Sequence, residues 1–129
     1  MGKTGYGNNQ VADIHIDNGI LHFVYKPNTI LNLKNATAAV NQRLAVQKDR
    51  AYPIFCDVRG LVSSDKEGRD YLAKQGSVLV KAVGILASDP LTNRIISFYM
   101  NNSKPRIPTK VFSQRFAALS FLEKFTGSK

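Results

Sequence analysis

A chain of 129 residues with 43% hydrophobic and 21% charged side chains is long enough to bury one core but too short for two, and its composition is that of a globular domain, far from the signature of disorder. A single cysteine, Cys56, excludes an internal disulfide; no stretch approaches the roughly 18 apolar residues of a membrane span, and MGKTGYGNNQ lacks the apolar core of a signal peptide, so a cytoplasmic location is expected. The net charge of +9 invites a polyanion-binding reading, yet Arg94, Lys104, Arg106, Lys110, Arg115, Lys124 and Lys129 stand singly between apolar residues, which makes nucleic acid an unlikely partner.

Residues 1–10, rich in Gly and Asn, read as a disordered leader, and residues 11–129 as one domain. Ile14 and Ile16, then Leu21, Phe23 and Tyr25, alternate with other residues on either side of Asn18-Gly19. That dipeptide takes two positive φ angles at least cost, so a hairpin with a type I′ turn is expected. Asn32 can cap a helix carrying Leu33, Ala36, Val40 and Leu44 and ending near Asp49. Tyr52 to Val58 is a short apolar run of strand formers, the pattern of a strand covered on both faces, and a buried Cys56 there acts as a small hydrophobe.

Ser64 three residues before Glu67 reads as a capping box opening a helix from Asp65 to about Lys74, with Gly76 as its stop. Val78 to Ala87 predicts a central strand. Ser88 can cap the next helix, with Pro90 at its first position and Leu91, Ile95, Phe98 and Tyr99 on its apolar side, ended by Asn101-Asn102 and Pro105. Ile107 to Phe112 is a last strand whose flanking prolines suit an edge. Ser113 caps a final helix carrying Phe116, Leu119, Leu122 and Phe125. The order is ββαβαβαβα, an α/β fold with a mostly parallel sheet and one antiparallel strand from the edge hairpin.

That order, with Pro53-Ile-Phe-Cys-Asp-Val-Arg-Gly60 followed by Ser63-Ser64 at a helix start, resembles the SpoIIAA-like fold of anti-sigma factor antagonist or STAS-type domains, and most of all an uncharacterised branch linked to STAS/SEC14 domains. Val80-Lys-Ala-Val-Gly-Ile-Leu86, Ser88-Asp89-Pro90-Leu91, Lys104-Pro105 and Lys110-Val-Phe112 leading to Ala117-Ala118 and Leu122 extend the likeness over nearly everything after Val11. In the antagonist branch a serine at the start of the helix after the second core strand is phosphorylated by a partner kinase, and the dephosphorylated form binds its partner. The resemblance implies Ser64 for that role, with Ser63 second. The chain carries Ser63-Ser64-Asp65-Lys66 in place of the branch's Asp-Ser-Ser-Gly.

Ligands and partners of such sheets gather beyond the carboxyl ends of the strands. Asp57, Arg59, Gly60, Ser63 and Ser64 fall there after one strand, Ser88 and Asp89 after another. A phosphate on Ser64 would meet free amides at a helix start; the plain alternative is that Ser64 only caps its helix and Asp57 pairs with Arg59 or with backbone amides. A two-residue turn at Asn18-Gly19 opposes His15 to His22, with Asp13 and Asp17 nearby. A histidine pair is a weak metal candidate without a third ligand, and a polar outer face of an edge hairpin is the plainer reading.

No nucleophile elbow, phosphate loop or Cys/His pair at motif spacing is present, so neither enzyme activity nor a cofactor is expected. The leading expectation is a non-enzymatic regulatory or adaptor domain that binds a protein partner around Ser63 and Ser64. A small-molecule or lipid-binding module is the alternative, which a deep apolar pocket would favour. Weak polyanion binding ranks third, and an exposed edge strand leaves room for a homodimer.

Overall fold

Asn18 and Gly19 have φ of 53° and 78°, the paired positive values of a type I′ turn. They join β1 (Ala12–Asp17) to β2 (Ile20–Tyr25). The computed structural model describes residues 10–127, so the expected leader lies outside the described residues except for Gln10. The chain continues through β3 (Thr29–Leu31), α1 (Leu33–Gln47), β4 (Tyr52–Asp57), β5 (Leu61–Ser64), α2 (Lys66–Gln75), β6 (Val80–Leu86), α3 (Pro90–Phe98), β7 (Thr109–Phe112) and α4 (Arg115–Glu123). The main sheet has the order β1-β2-β4-β6-β7. Only the hairpin pair is antiparallel; β2, β4, β6 and β7 run parallel.

The expected alternation of strands and helices holds within this sheet, with β7 at its edge as Pro105 and Pro108 require. Two short strands were not anticipated: β3 and β5 pair in parallel as a separate ribbon. The sheet separates two cores. Phe23, Ile54 and Ile85 pack on Ala36, Ala39, Ile95 and Ile96 from α1 and α3, with Tyr71 and Leu72 of α2 alongside. On the opposite face Ile20, Phe55, Ala82 and Leu86 pack on Ala118 and Leu122 of α4. Strands buried on both faces need apolar residues at successive positions, which is the pattern of Pro53, Ile54 and Phe55.

Three expected caps shift by one residue. Asp65, not Ser64, caps α2, its Oδ1 accepting from the Gly68 amide at 2.8 Å, because pairing of Ser64 with Leu31 keeps the chain extended one residue longer. Asp89, not Ser88, caps α3 through the Thr92 amide at 2.8 Å. Pro90 occupies the first helical position, so the cap must be the residue directly before it. Gln114, not Ser113, precedes α4 and makes no side-chain cap bond.

Two apolar faces also turn differently. α3 buries Thr92, Ile95 and Ile96 and leaves Leu91 and Phe98 exposed. Beyond Phe98 the helix widens into a π-helical turn, Tyr99–Ser103, closed by Lys104 at φ 55°. α4 buries Ala118 and Leu122, while Phe116 stands 71% exposed. The inward side of α1 reads Ala36, Ala39, Val40, Arg43 and Gln47, so a guanidinium and an amide take positions that the sequence reading left outside.

Candidate functional site

The rim begins where β4 ends. Asp57 is buried and grips Arg59 bidentately: its Oδ1 accepts from Arg59 Nε at 3.0 Å and its Oδ2 from Nη2 at 2.8 Å. The Arg59 amide donates to the same Oδ1 at 3.0 Å. A bidentate pair fixes the turn after β4 as well as the charge, and the hydrogen bond that Arg59 donates to Asp57 raises the guanidinium pKa above its ordinary value. The plain expectation of an Asp57–Arg59 pair therefore holds, and Arg59 still presents half of its side chain to solvent.

Past Gly60 the chain enters β5. The Thr29 amide donates to the Gly60 carbonyl at 3.1 Å and the Asp65 amide to the Leu31 carbonyl at 3.0 Å, so the ribbon is tied at both ends. Ser63 is exposed opposite Ile30. Ser64 is half-buried, and its Oγ accepts from Arg69 Nη1 of α2 at 2.7 Å. Arg69 also stacks over the Phe98 ring, 5.3 Å to its centroid, and its buried Nε has no partner among the described residues. Arg69 was missed by sequence reasoning. Its spacing of five from Ser64 matches no helical neighbour rule, since Ser64 lies outside the helix.

α3 packs against β5 and brings Asp89 to the same rim. Asp89 caps α3, accepting from the Thr92 amide and from Thr92 Oγ1 at 3.0 Å. Those hydrogen bonds, the amide's first, hold its carboxyl below the ordinary range, and the Arg59 charge adds to the effect. The structure thus gathers Asp57, Arg59, Ser63, Ser64 and Asp89 at one end of the sheet. Ile30, Val62 and Leu91 lie exposed on the ribbon and on the first turn of α3.

His15 and His22 are directly opposed, as the turn demands. Their rings stack at 4.6 Å with an interplanar angle of 9°, a face-to-face arrangement that aims no two nitrogens at a common point. Among the described residues no group of three His, Cys, Asp or Glu is arranged to hold a metal. The plainer reading needs correction as well: β2 is interior to the sheet, so His22 is buried on the α4 face. Arg115 Nη2 lies 3.3 Å from His22 Nδ1 and its guanidinium sits 4.8 Å above the Phe55 ring.

Burial, then the charge of His15, lowers the His22 pKa from 6.5. As the pH falls the unfolded chain takes up this proton before the folded one, so the contribution is full above about pH 7 and declines below 6.5. The urea midpoint is expected to fall between about pH 8 and about pH 5, and to fall less in His22→Asn, which keeps an acceptor for Arg115. Equal drops in both proteins would contradict this. Asp70 and Asp89, also lowered, act nearer 3.8 and lie outside that window.

A cavity of about 90 Å³ lies between the sheet and helices α1 to α3. Its walls are apolar except for Tyr25, Arg43, Cys56 and Tyr99. Burial pushes the Cys56 thiol up to about 12 and raises both tyrosines. At neutral pH the thiol is therefore protonated.

A mostly parallel sheet with an antiparallel hairpin at its edge is a SpoIIAA-like fold. Two solved structures share the arrangement. An uncharacterised protein of the DUF3478 family with a SpoIIAA-like fold, from Shewanella loihica PV-4, aligns at a TM-score of 0.58 and 18% identity over 86% of this chain and 91% of its own. An anti-sigma factor antagonist from Mycobacterium paratuberculosis aligns at 0.65 and 18% identity over 87% and 92%. The chain belongs to the family described as Domain of unknown function (DUF7793), which matches residues 14–126. No curated protein matches it. Among the described residues no helix is long and apolar enough to cross a membrane.

Proposed function

We propose that the chain is a non-enzymatic regulatory or adaptor domain of the cytoplasm that binds a protein partner through the rim around β5. The observation that carries this reading is the set of exposed apolar side chains on adjoining elements, Ile30 and Val62 on the ribbon and Leu91 on α3, which packs against β5, with Ser63 opposite Ile30 and Arg59 exposed on the turn before β5. Clustered exposed apolar surface rimmed by polar groups is what a partner covers. The likeness to an anti-sigma factor antagonist supports a role in protein contact. Ser64 gains a second meaning from its bond to Arg69: a phosphoryl group there sits beside a guanidinium that already engages the hydroxyl. Such a modification changes the charge of the contact surface without requiring a different fold.

Affinity purification from the source cells at physiological salt tests this. The wild-type chain is expected to retain a defined protein that Val62→Asp loses and Ser64→Glu retains several-fold less. Recovery of nothing, or equal recovery by all three proteins, would overturn the proposal. The second reading, a small-molecule or lipid-binding module, is favoured by the interior cavity.

A further inference from the structure

The geometry points to a ligand of defined chemistry for that cavity: we propose that it takes a short-chain carboxylic acid, its carboxylate toward Arg43 and the Tyr25 and Tyr99 hydroxyls and its hydrocarbon against the sheet. This rests on the second reading and narrows it. Arg43 is 5% exposed and has no carboxylate within ion-pair distance among the described residues. Its guanidinium is met only by neutral acceptors: the Val78 carbonyl at 3.0 Å, the Gly76 carbonyl at 3.3 Å and the Gln47 side chain. An interior cation without a counter-charge is costly and favours any anion that reaches it.

The tyrosines add a second, independent observation. Tyr25 and Tyr99 both line the cavity, and the hydrogen bonds among the described residues include none from either hydroxyl. Buried tyrosines usually place their O–H on an acceptor. Here two donors and a cation face one apolar space, and that combination matches the two oxygens and single charge of a carboxylate.

Size selects within that class. About 90 Å³ is on the order of three times the ~30 Å³ share of a liquid water, and less than the ~150 Å³ that admits benzene. The whole acid, carboxylate included, is then smaller than benzene, which selects an acid of about two or three carbons, whereas a diacyl lipid or long fatty acid far exceeds that volume.

The test is a methyl-resolved NMR titration of the full chain with propionate, 1-propanol and octanoate. Propionate is expected to give saturable shifts at the Val83, Ile85 and Ile95 methyls, at least about tenfold tighter than 1-propanol, with octanoate giving none. Tyr25→Phe, which keeps the packing, is expected to weaken propionate several-fold, and Ala39→Leu, which fills the cavity, to abolish the shifts. Arg43→Met is expected to equalise acid and alcohol. Because Arg43 also ties α1 to the Gly76 and Val78 carbonyls, a failure of that variant to fold leaves the wild-type comparison and Tyr25→Phe to decide. Equal binding of acid and alcohol by the wild type overturns the anion assignment and leaves the small-molecule reading standing. Absence of methyl shifts with every probe overturns both.

Discussion

Phe55→Ala is expected to lower the free energy of unfolding by about 3–5 kcal/mol, the largest effect of any single change considered for this chain. Phe55 is fully buried at the centre of β4, among Ile20, Ala82, Leu86, Ala118 and Leu122. Its ring also carries the Arg115 guanidinium and lies 5.5 Å from the His22 ring. Removing it opens a void that α4 alone covers and strands a cation over empty space, so the cost of lost transfer and the cost of the cavity add. The measurement is the urea midpoint at unchanged m-value. Phe55→Leu, which refills most of the volume, is expected to recover more than half of the loss. A Phe55→Ala protein within about 1 kcal/mol of wild type would mean that α4 collapses freely onto the sheet.

The second large effect falls at the rim. Gly60→Ala is expected to cost about 3 kcal/mol, the upper end of overpacking effects. A Cβ there would stand 2.5 Å from the Tyr25 carbonyl oxygen and closer still to that of Lys26. Both obstacles are backbone at the end of β2, so neither can rotate away. The chain must instead lift the turn that carries the Asp57–Arg59 pair and leads into β5. Chemical-shift changes are therefore expected to spread from Gly60 through Leu61–Ser64, and the partner retained by the wild type is expected to be lost along with stability. Ser63→Ala, on the exposed side of the ribbon, serves as the control and is expected to stay within about 0.5 kcal/mol. Full stability of Gly60→Ala would show that β2 and β5 are looser neighbours than their spacing indicates.

The main sheet was legible because its signals are local. Asn18-Gly19 fixes a hairpin, Pro90 fixes a helix start, and the apolar run at Pro53–Cys56 fixes a strand buried on both faces. The ribbon was not legible. Thr29–Leu31 and Leu61–Ser64 are too short for alternation to register, and each is extended mainly because the other pairs with it across the fold. That pairing displaced the Ser64 cap by one residue.

The site divides along the same line. Asp57, Arg59, Ser63, Ser64 and Asp89 follow from the rule that strand ends gather function, and the structure brings them together. Arg43 and Gln47 were missed because their charge and polarity argue for the outside, although 36, 40, 43 and 47 are spaced by four, three and four, the rhythm of one helix face. Tyr25 was read only as part of the hairpin's alternating pattern; that its hydroxyl makes no hydrogen bond among the described residues has no signature in sequence.

The ties at both ends of the β3–β5 ribbon determine what kind of binding surface it makes. With Thr29 held by Gly60 and Asp65 by Leu31, the segment loses its conformational freedom when the chain folds rather than when a partner arrives. Docking there avoids the ordering entropy that a loose loop would impose. Variants along the ribbon should then change how long a complex lasts more than how quickly it forms.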